Sequence, residues 1–564
     1  MSRKFSALCV LMAVLLALVF GTASASESAV GLSPTKLNNQ YLSGGEELPI
    51  SDVVSGSIGA SRSPGIMIGD SYYDMQNNGS IGRRVVFTYE DPHDLFCGLH
   101  FIWMCMPCEG GSRHIRYNAR HYDNTWEYPI GPSGGISVSD ANGGYSSIDV
   151  THRGAAVIAY HSGPTGDTYS AKVCVDALPP DADLDCGVNP GPPNCEGWFT
   201  GSYEPTSKYI WPMVEADVCG DDTVFHKVAT ESPPAGAPNG EIQTVVYYKD
   251  VWNHVVQTVV PPVCGTAVDS VYDISAVVRQ DPRSSEVAII WMHPIHYNDD
   301  PNDPCGYTQW QNDVYVWKSS DCGDTWDRSE ITNVTDYTQG GTIPITQCTE
   351  LAYNDLSALY DHHGVLHVVW STPLRDVSGS PCTPLYASRM WHWDDSPTGT
   401  ITMVYDASTP RFMNDPGAWN SSTCKMNISE CNGWLYCSFT RFGAHTSADG
   451  DTSLDASTGG YENGDIFLVS STDGGQTWAD PINLTNTDSD GCTAGDCESE
   501  HWSTMAKYSN DSVHIQFIED KDAGAWPQGE GAMTCNPVRY ITYPCFPPPF
   551  ICGDADGSGD VDID

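Results

Sequence analysis

The residues with the sharpest chemical spacing stand at the end of the sequence, in Gly553-Asp-Ala-Asp-Gly-Ser-Gly-Asp-Val-Asp-Ile-Asp564. With Asp554 at position one of a calcium loop, Asp556 falls at three, Ser558 at five, Asp560 at seven and Asp562 at nine. Gly559 then takes position six, where the backbone must turn sharply around the ion. Hard oxygen ligands at alternate positions suit a hard cation, so calcium is the expected cofactor of this stretch. The carboxylate that normally completes such a loop would follow Asp564. A second candidate is Cys105-Met-Pro-Cys108, with His93, His100 and His114 nearby in sequence. A zinc ribbon needs two such cysteine pairs, and the sequence has no second one.

The compartment is legible at the other end. Arg3 and Lys4, the apolar run from Ala7 to Phe20, and Ala23-Ser-Ala25 have the order of a secretory signal peptide, residues 1–25. The apolar run is too short to favour a membrane span. Removing Cys9 with the signal leaves 21 − 1 = 20 cysteines, an even number that suits disulfides in an oxidising compartment. Several are close in sequence (Cys305 and Cys322; Cys424, Cys431 and Cys437; Cys492 and Cys497; Cys535, Cys545 and Cys552), which predicts bridges pinning loops and hairpins. A formal charge of −46 excludes nucleic acid and anionic membrane surfaces as partners, since both require clustered Lys and Arg. The protein is expected to be secreted, extracellular or attached to a cell surface.

The elements that must position any site are strands. Ser319-Ser-Asp-Cys-Gly-Asp-Thr-Trp326 and Ser471-Thr-Asp-Gly-Gly-Gln-Thr-Trp478 share the pattern S-x-D-x-G-x-T-W, and each follows an alternating apolar run. Asp321 and Asp473 can accept hydrogen bonds from the bend, Gly323 and Gly475 can take positive φ, and Thr325, Thr477, Trp326 and Trp478 complete the turn. With these two octapeptides the chain resembles the Asp-box (BNR-repeat) proteins, above all the sialidase-like β-propellers. The resemblance implies a propeller fold, with the Asp boxes on the outer edge, away from the family's substrate pocket.

A strongly apolar strand recurs seven times: Leu99–Trp103, Ala156–Tyr160, Thr223–His226, Val287–Trp291, Leu366–Trp370, Trp434–Phe439 and Val513–Phe517. His363-Gly364 and Asn432-Gly433 precede two of them, and such pairs between apolar runs mark hairpins. Spacings of about 55 to 80 residues suit four-stranded blades with long insertions. The expected fold is therefore an all-β propeller of seven four-stranded blades over residues 64–545, stabilised by disulfides. Six blades, with Thr223–His226 as an insertion, is the alternative. Residues 26–63 form a leader arm, and residues 65–73 are predicted to close the ring by pairing into the last blade.

After the linker that begins residues 546–564, the calcium loop resembles the first loop of a type I dockerin, which implies a cohesin-type protein partner. A complete dockerin has two loops, each followed by a helix, so further residues are expected beyond this sequence.

The sialidase-like family binds a substrate carboxylate with three arginines, the first in an Arg-Ile-Pro motif that is absent here. Arg83, Arg84, Arg279, Arg375, Arg389 and Arg441 have no motif around them and read as surface or strand-edge cations. Asp149, Glu215, Asp217, Asp273 and Asp355 lie in predicted first strands, which line a propeller's channel; solvated acids are expected there, with an acidic ring for a cation as the alternative. His100, His226, His367 and His514 alternate with apolar positions and read as core histidines. With 17 Trp and 28 Tyr, aromatic faces remain for a glycan ligand. The expected function is an extracellular glycan- or protein-binding scaffold propeller, with a sialidase-like glycoside hydrolase as the alternative; no catalytic residue is identified.

Overall fold

The computed structural model describes residues 61–545 apart from 89–97, 109–110, 140–141, 164–169, 177–197, 203–208, 232–241, 254–257, 261–264, 296–307, 337–350, 377–382, 409–413, 444–454 and 510. The signal peptide, nearly all of the leader arm, the linker and the calcium-loop residues Asp554, Asp556, Ser558, Asp560 and Asp562 lie outside the described residues, as do His93 and much of the long insertions.

The chain forms seven sheets of four or five strands, antiparallel except where Glu430 and Cys431 pair parallel with Tyr508 and Ser509, arranged as the seven blades of a propeller. Each blade is read outward from the channel. The innermost strands are Val85–Thr88, Gly144–Val150, Tyr209–Cys219, Ala276–Gln280, Leu356–Tyr360, Thr423–Cys431 and Ser499–Met505 in blades 1 to 7. The seven apolar runs are all second strands, and that of blade 3, Asp222–Glu231, pairs on both sides within its sheet. This settles the blade number at seven.

Second strands are apolar at nearly every position because both of their faces are covered. In blade 4, Val287, Ala288, Ile289, Ile290, Trp291 and Met292 are all buried. Val277, Ala288, Ile290, Met292, Val314 and Val316 pack on Ala358, Leu366, Val368 and Trp370 of blade 5. Burial of apolar surface between neighbouring blades, at about 25 cal/mol per Å², drives the stacking.

The ring closes as expected. Ile66–Ser71 pairs antiparallel with Asn536–Pro544 and becomes the outermost strand of blade 7. The disulfides correct the expectation of local bridges. Cys108–Cys535 joins blade 1 to blade 7, Cys431–Cys545 joins blade 6 to blade 7, and Cys219–Cys322 joins blades 3 and 4. Among the described pairs only Cys492–Cys497 is local, while Cys105, Cys424 and Cys437 are buried free thiols. The reason is geometric: cysteines near blade edges in different repeats meet across the seam, so closeness in space departs from closeness in sequence. Because Cys108 is bonded to Cys535 and the ring nitrogen Nδ1 of His100 meets Tyr117, the Cys105/Cys108 pair forms no zinc ribbon.

Candidate functional site

The two octapeptides connect third to fourth strands and fold alike. Ser319 Oγ accepts from the Gly323 amide and donates to Asp321, which in turn accepts from the amide and hydroxyl of Thr325. Ser471, Asp473, Gly475 and Thr477 repeat every one of these bonds. Gly323 and Gly475 have φ of +72° and +84°, a region costly for side-chain-bearing residues. The Thr325 hydroxyl bond, with the backbone bonds after it, draws the Asp321 carboxyl down to about 2.

Each turn sets its Trp against the third strand of the preceding blade: Trp326 meets Tyr247 at 4.8 Å between centroids, and Trp478 meets His392 at 5.5 Å. Those partners are held by second-strand histidines, since His226 bonds Tyr247 and His367 bonds His392. His514 likewise bonds Tyr540. A third turn of this kind escaped the octapeptide pattern. Asp123-Asn-Thr-Trp126 lacks the glycine, yet Asp123 accepts from the amide and hydroxyl of Thr125, and Trp126 packs near Tyr540 of blade 7. The shorter signal Thr-Trp, common to all three turns, would have found it. These turns fasten blade to blade on the rim.

The channel is organised in two layers. The deeper one holds Asp149, Glu215, Arg83 and Arg279 from among the acids and arginines that the sequence singled out. Lys507 Nζ lies 2.9 Å from Asp149 and 2.8 Å from Glu215, and Arg279 lies 3.6 Å from Glu215. Burial alone would raise Glu215, but Lys507 first and Arg279 next hold it below its ordinary value. Arg83 donates to Asn427 and to the carbonyls of Ala358, Ile428 and Met505, so it reaches blades 5, 6 and 7 from the start of blade 1. Arg279 donates to the Ala358 carbonyl as well.

Two expectations change here. Arg83, Arg84, Arg279, Arg375 and Arg441 are buried rather than surface cations, because backbone carbonyls and carboxylates replace their water. Arg389, paired with Asp406 at 3.1 Å, is the half-exposed edge cation foreseen. Asp149 and Glu215 are neither solvated nor part of an open cation ring, since Lys507 faces both and Arg279 faces Glu215, while Asp355 faces Lys425 and Asp273 accepts from backbone amides. Asp217 stands apart, with His226 at 3.3 Å.

About four residues nearer the start of the inner strands lies the other layer. Here five blades carry one irregularity. The pairing of first with second strand slips between Gly144 and Ser147, Ile210 and Met213, Cys424 and Asn427, and His501 and Thr504. In blade 5, Ser371 bonds both Tyr353 and Asp355 and bypasses Asn354. The extra residue of each bulge has left-handed backbone: Tyr145 (φ 52°), Trp211 (51°), Asn354 (67°), Lys425 (54°) and Trp502 (60°). Bulky residues seldom adopt this region, and both bulges and such outliers gather where a fold must aim particular side chains.

Two groups result. In blades 1 to 3, the Arg113 guanidinium lies 5.0 Å from the ring centre of Tyr73 and 5.4 Å from that of Tyr145, whose hydroxyls are 3.1 Å apart. His161 sits beside Tyr145 and accepts from the Trp211 amide at Nδ1, so its neutral ring carries the proton on Nε2. In blades 5 to 7, Lys425 is fully buried, 3.1 Å from Asp355 and 4.8 Å from the ring centre of Trp502. Asn354 donates to the Trp419 carbonyl, and its amide donates to Asp273. Residues 72–84 cross between the groups: the Ser80 amide donates to Ser275, and Ser80 Oγ accepts from the Leu356 amide.

The layer keeps polar atoms that are buried without a hydrogen-bond partner among the described residues. They include both side-chain polar atoms of Asn78, Ser146 Oγ, Trp211 Nε1, Asn354 Oδ1, Trp502 Nε1 and both ring nitrogens of His501. Native proteins leave few such atoms unmatched, so a concentration of them marks a place for water or ligand. Burial, helped by Lys425, holds the His501 ring neutral by pushing its pKa down to about 3. Burial also raises Asp273 to about 6 and Asp74 to about 7, against the backbone amides that bond them. The layer thus offers aromatic faces, neutral donors and acceptors, and carboxyls able to keep a proton near neutrality.

No protein-family profile matches the chain, and no curated protein matches it by sequence. Solved structures similar to it include an ulvan lyase of polysaccharide lyase family PL25, bound to -[GlcA(1-4)Rha3S]-. It shares 10% identity over 82% of this chain and 100% of that one, with a TM-score of 0.44. The polysaccharide lyase Uly1 shares 10% identity over 86% and 99%, with a TM-score of 0.42. Trypanosoma rangeli sialidase shares 9% identity over 75% and 57%, with a TM-score of 0.35. Likeness this distant says nothing about activity.

Proposed function

We propose that the end of the channel where the inner strands begin binds carbohydrate, and that the protein is a secreted glycan-binding propeller. The observation that carries this reading is the bulge layer, in which Tyr145, Trp211 and Trp502 lie beside buried polar atoms without a hydrogen-bond partner among the described residues. Sugars present apolar ring faces that stack on aromatic rings and hydroxyls that both donate and accept. The signal-peptide pattern and the disulfides between blades fit an extracellular setting. The spacing of Asp554, Asp556, Ser558, Asp560 and Asp562 supports calcium there and attachment to a cohesin-type partner through a completed module. The octapeptide turns keep their resemblance to Asp boxes, with a structural role on the rim.

A second reading, glycoside hydrolysis, has one observation in its favour. Asp273 and Asp355 adjoin across Asn354; burial raises both, Asp273 to about 6, and Asp355 alone faces Lys425, which works against that rise. Unlike environments on two carboxyls are what acid and base roles require. The deciding experiment presents sialosides, neutral plant glycans and uronic-acid polysaccharides to the purified protein, scoring binding by calorimetry and turnover by released ends. Binding without turnover, lost in Trp502→Ala and Trp211→Ala, supports the first reading. Turnover abolished by Asp273→Asn or Asp355→Asn establishes the second, and no binding of any glycan rejects both.

A further inference from the structure

Blade 3 holds a buried pair that the channel does not use. Lys227 lies on the second strand and Asp250 on the third. The register sets Phe225 opposite Asp250 and Lys227 opposite Tyr248, so the two side chains share one face as diagonal neighbours. That face packs on blade 2: Ala229, Val246 and Tyr248 cluster with Ala171, and Phe225 with Val173 and Val175. Lys227 Nζ is in contact with Asp250 Oδ2, and their side chains are 1% and 4% exposed. Asp250 Oδ1 has no hydrogen-bond partner among the described residues.

The pair differs from the other buried lysines. Lys507 faces two carboxylates, which raise it despite burial. At Lys227 burial outweighs the attraction of Asp250, pushing the amine down to about 8, and burial also raises the Asp250 carboxyl. Proton transfer between the partners would remove both buried charges, whose desolvation costs several kcal/mol per ion when left in place. The product of that transfer would be an uncharged amine in contact with a carboxylic acid, their side chains 1% and 4% exposed.

We propose that Lys227 and Asp250 condense into an intramolecular isopeptide bond that links the second and third strands of blade 3. The Nζ lone pair attacks Asp250 Cγ and the Nζ–Cγ bond forms. The bond from Cγ to the acid hydroxyl breaks, and the hydroxyl leaves with an amine proton as water. Two neutral groups give a neutral amide and water, with no oxidant or other reactant. A cross-link of this kind would hold the blade whose outer region, Thr258–Val260 and Thr266–Val271, divides between two partners of one strand.

Mass spectrometry of the full chain, reduced and denatured, tests this. The expected result is a mass one water below that of the processed sequence, with proteolysis yielding a branched peptide joining Lys227 to Asp250. Lys227→Arg and Asp250→Ala should each restore the full mass. A wild-type chain at full mass would show the pair to be ionic or hydrogen-bonded only. A deficit of one water that maps to other residues overturns the proposal equally. Both outcomes are read on wild type, so they do not depend on whether either variant folds.

Discussion

The two layers of the channel are built on the same inner strands and differ in how their charges are met, although Arg83 Nε, Asp149 Oδ1 and Asn427 Nδ2 of the deeper layer also lack a hydrogen bond among the described residues. In the deeper layer Lys507 is matched by Asp149 and Glu215, and Arg83 by carbonyls of three blades. In the bulge layer the strands break register to hold Tyr145, Trp211 and Trp502 in unfavourable backbone, and neighbouring polar atoms go unmatched. Matched groups explain themselves by folding: they fix seven blades around one axis. Unmatched groups held at a conformational cost need another explanation, and the proposed ligand would supply it.

The largest effect expected from testing that contrast is in the deeper layer. Lys507→Met leaves Asp149 and Glu215 buried without their common partner, and breaking a buried pair from one side costs about 3 to 5 kcal/mol. Equilibrium unfolding in urea should show a loss of that order. A variant as stable as wild type would mean that water reaches the layer, and the contrast would fail. Next in size are the rim turns, which belong to neither layer. Asp321→Ala and Asp473→Ala each strip backbone and hydroxyl hydrogen bonds from a turn, for a loss of about 1 to 3 kcal/mol. Thermal melts should fall while glycan affinity stays at the wild-type value; an unchanged melt with lost affinity would move the site to the rim.

Much of this architecture was legible in the sequence, because propeller blades repeat a two-residue alternation that survives long insertions. The seven second strands and the closing strand Ile66–Ser71 follow from apolar runs alone. The octapeptide turns follow from residues whose hydrogen bonds are all local. The site was not legible, for a different physical reason. A bulge is a property of pairing between two strands, and nothing in Gly144-Tyr-Ser-Ser147 or His501-Trp-Ser-Thr504 by itself announces a skipped residue. Aligning the repeats on their first strands would have brought Tyr145, Asn354, Lys425 and Trp502 into one column. Arg83 misled because its partners lie in blades 5 to 7, more than 270 residues away along the chain.

A smaller effect follows from pH. Burial raises Asp74 to about 7 from 3.8 and Glu462 to about 8 from 4.5. Near pH 7 the native state therefore holds protons that an unfolded chain has released, and stability falls as pH rises through the folded values. The buried histidines His100, His392 and His501, lowered to about 3, oppose this only below their unfolded value of 6.5. Between about pH 6.5 and 8 these carboxyls dominate, opposed only weakly by the onset of Lys227 titration, and a decline of about 2 kcal/mol is expected, since one pKa unit corresponds to 1.36 kcal/mol. Denaturation midpoints across that window measure it, and Glu462→Gln should flatten the slope. A rising midpoint would show that these carboxyls are ionised in the native protein.

The finest test separates packing from ligand contact in the bulge layer. The Trp502 ring carries Lys425 on its face, but its Nε1 hydrogen has no partner among the described residues. Trp502→Phe keeps an aromatic face under the lysine and removes that hydrogen, so the fold loses some packing volume and no hydrogen bond. If the indole N–H donates to a sugar hydroxyl, its loss removes about 1 kcal/mol from binding, roughly a fivefold weaker affinity. Calorimetry with the tightest oligosaccharide found for wild type reads the change directly, and a thermal melt reads the packing. Weaker binding with a melt close to wild type places Trp502 against the ligand. Wild-type affinity with a lowered melt makes Trp502 a packing residue, and the unmatched atoms of blade 7 would then belong to buried water.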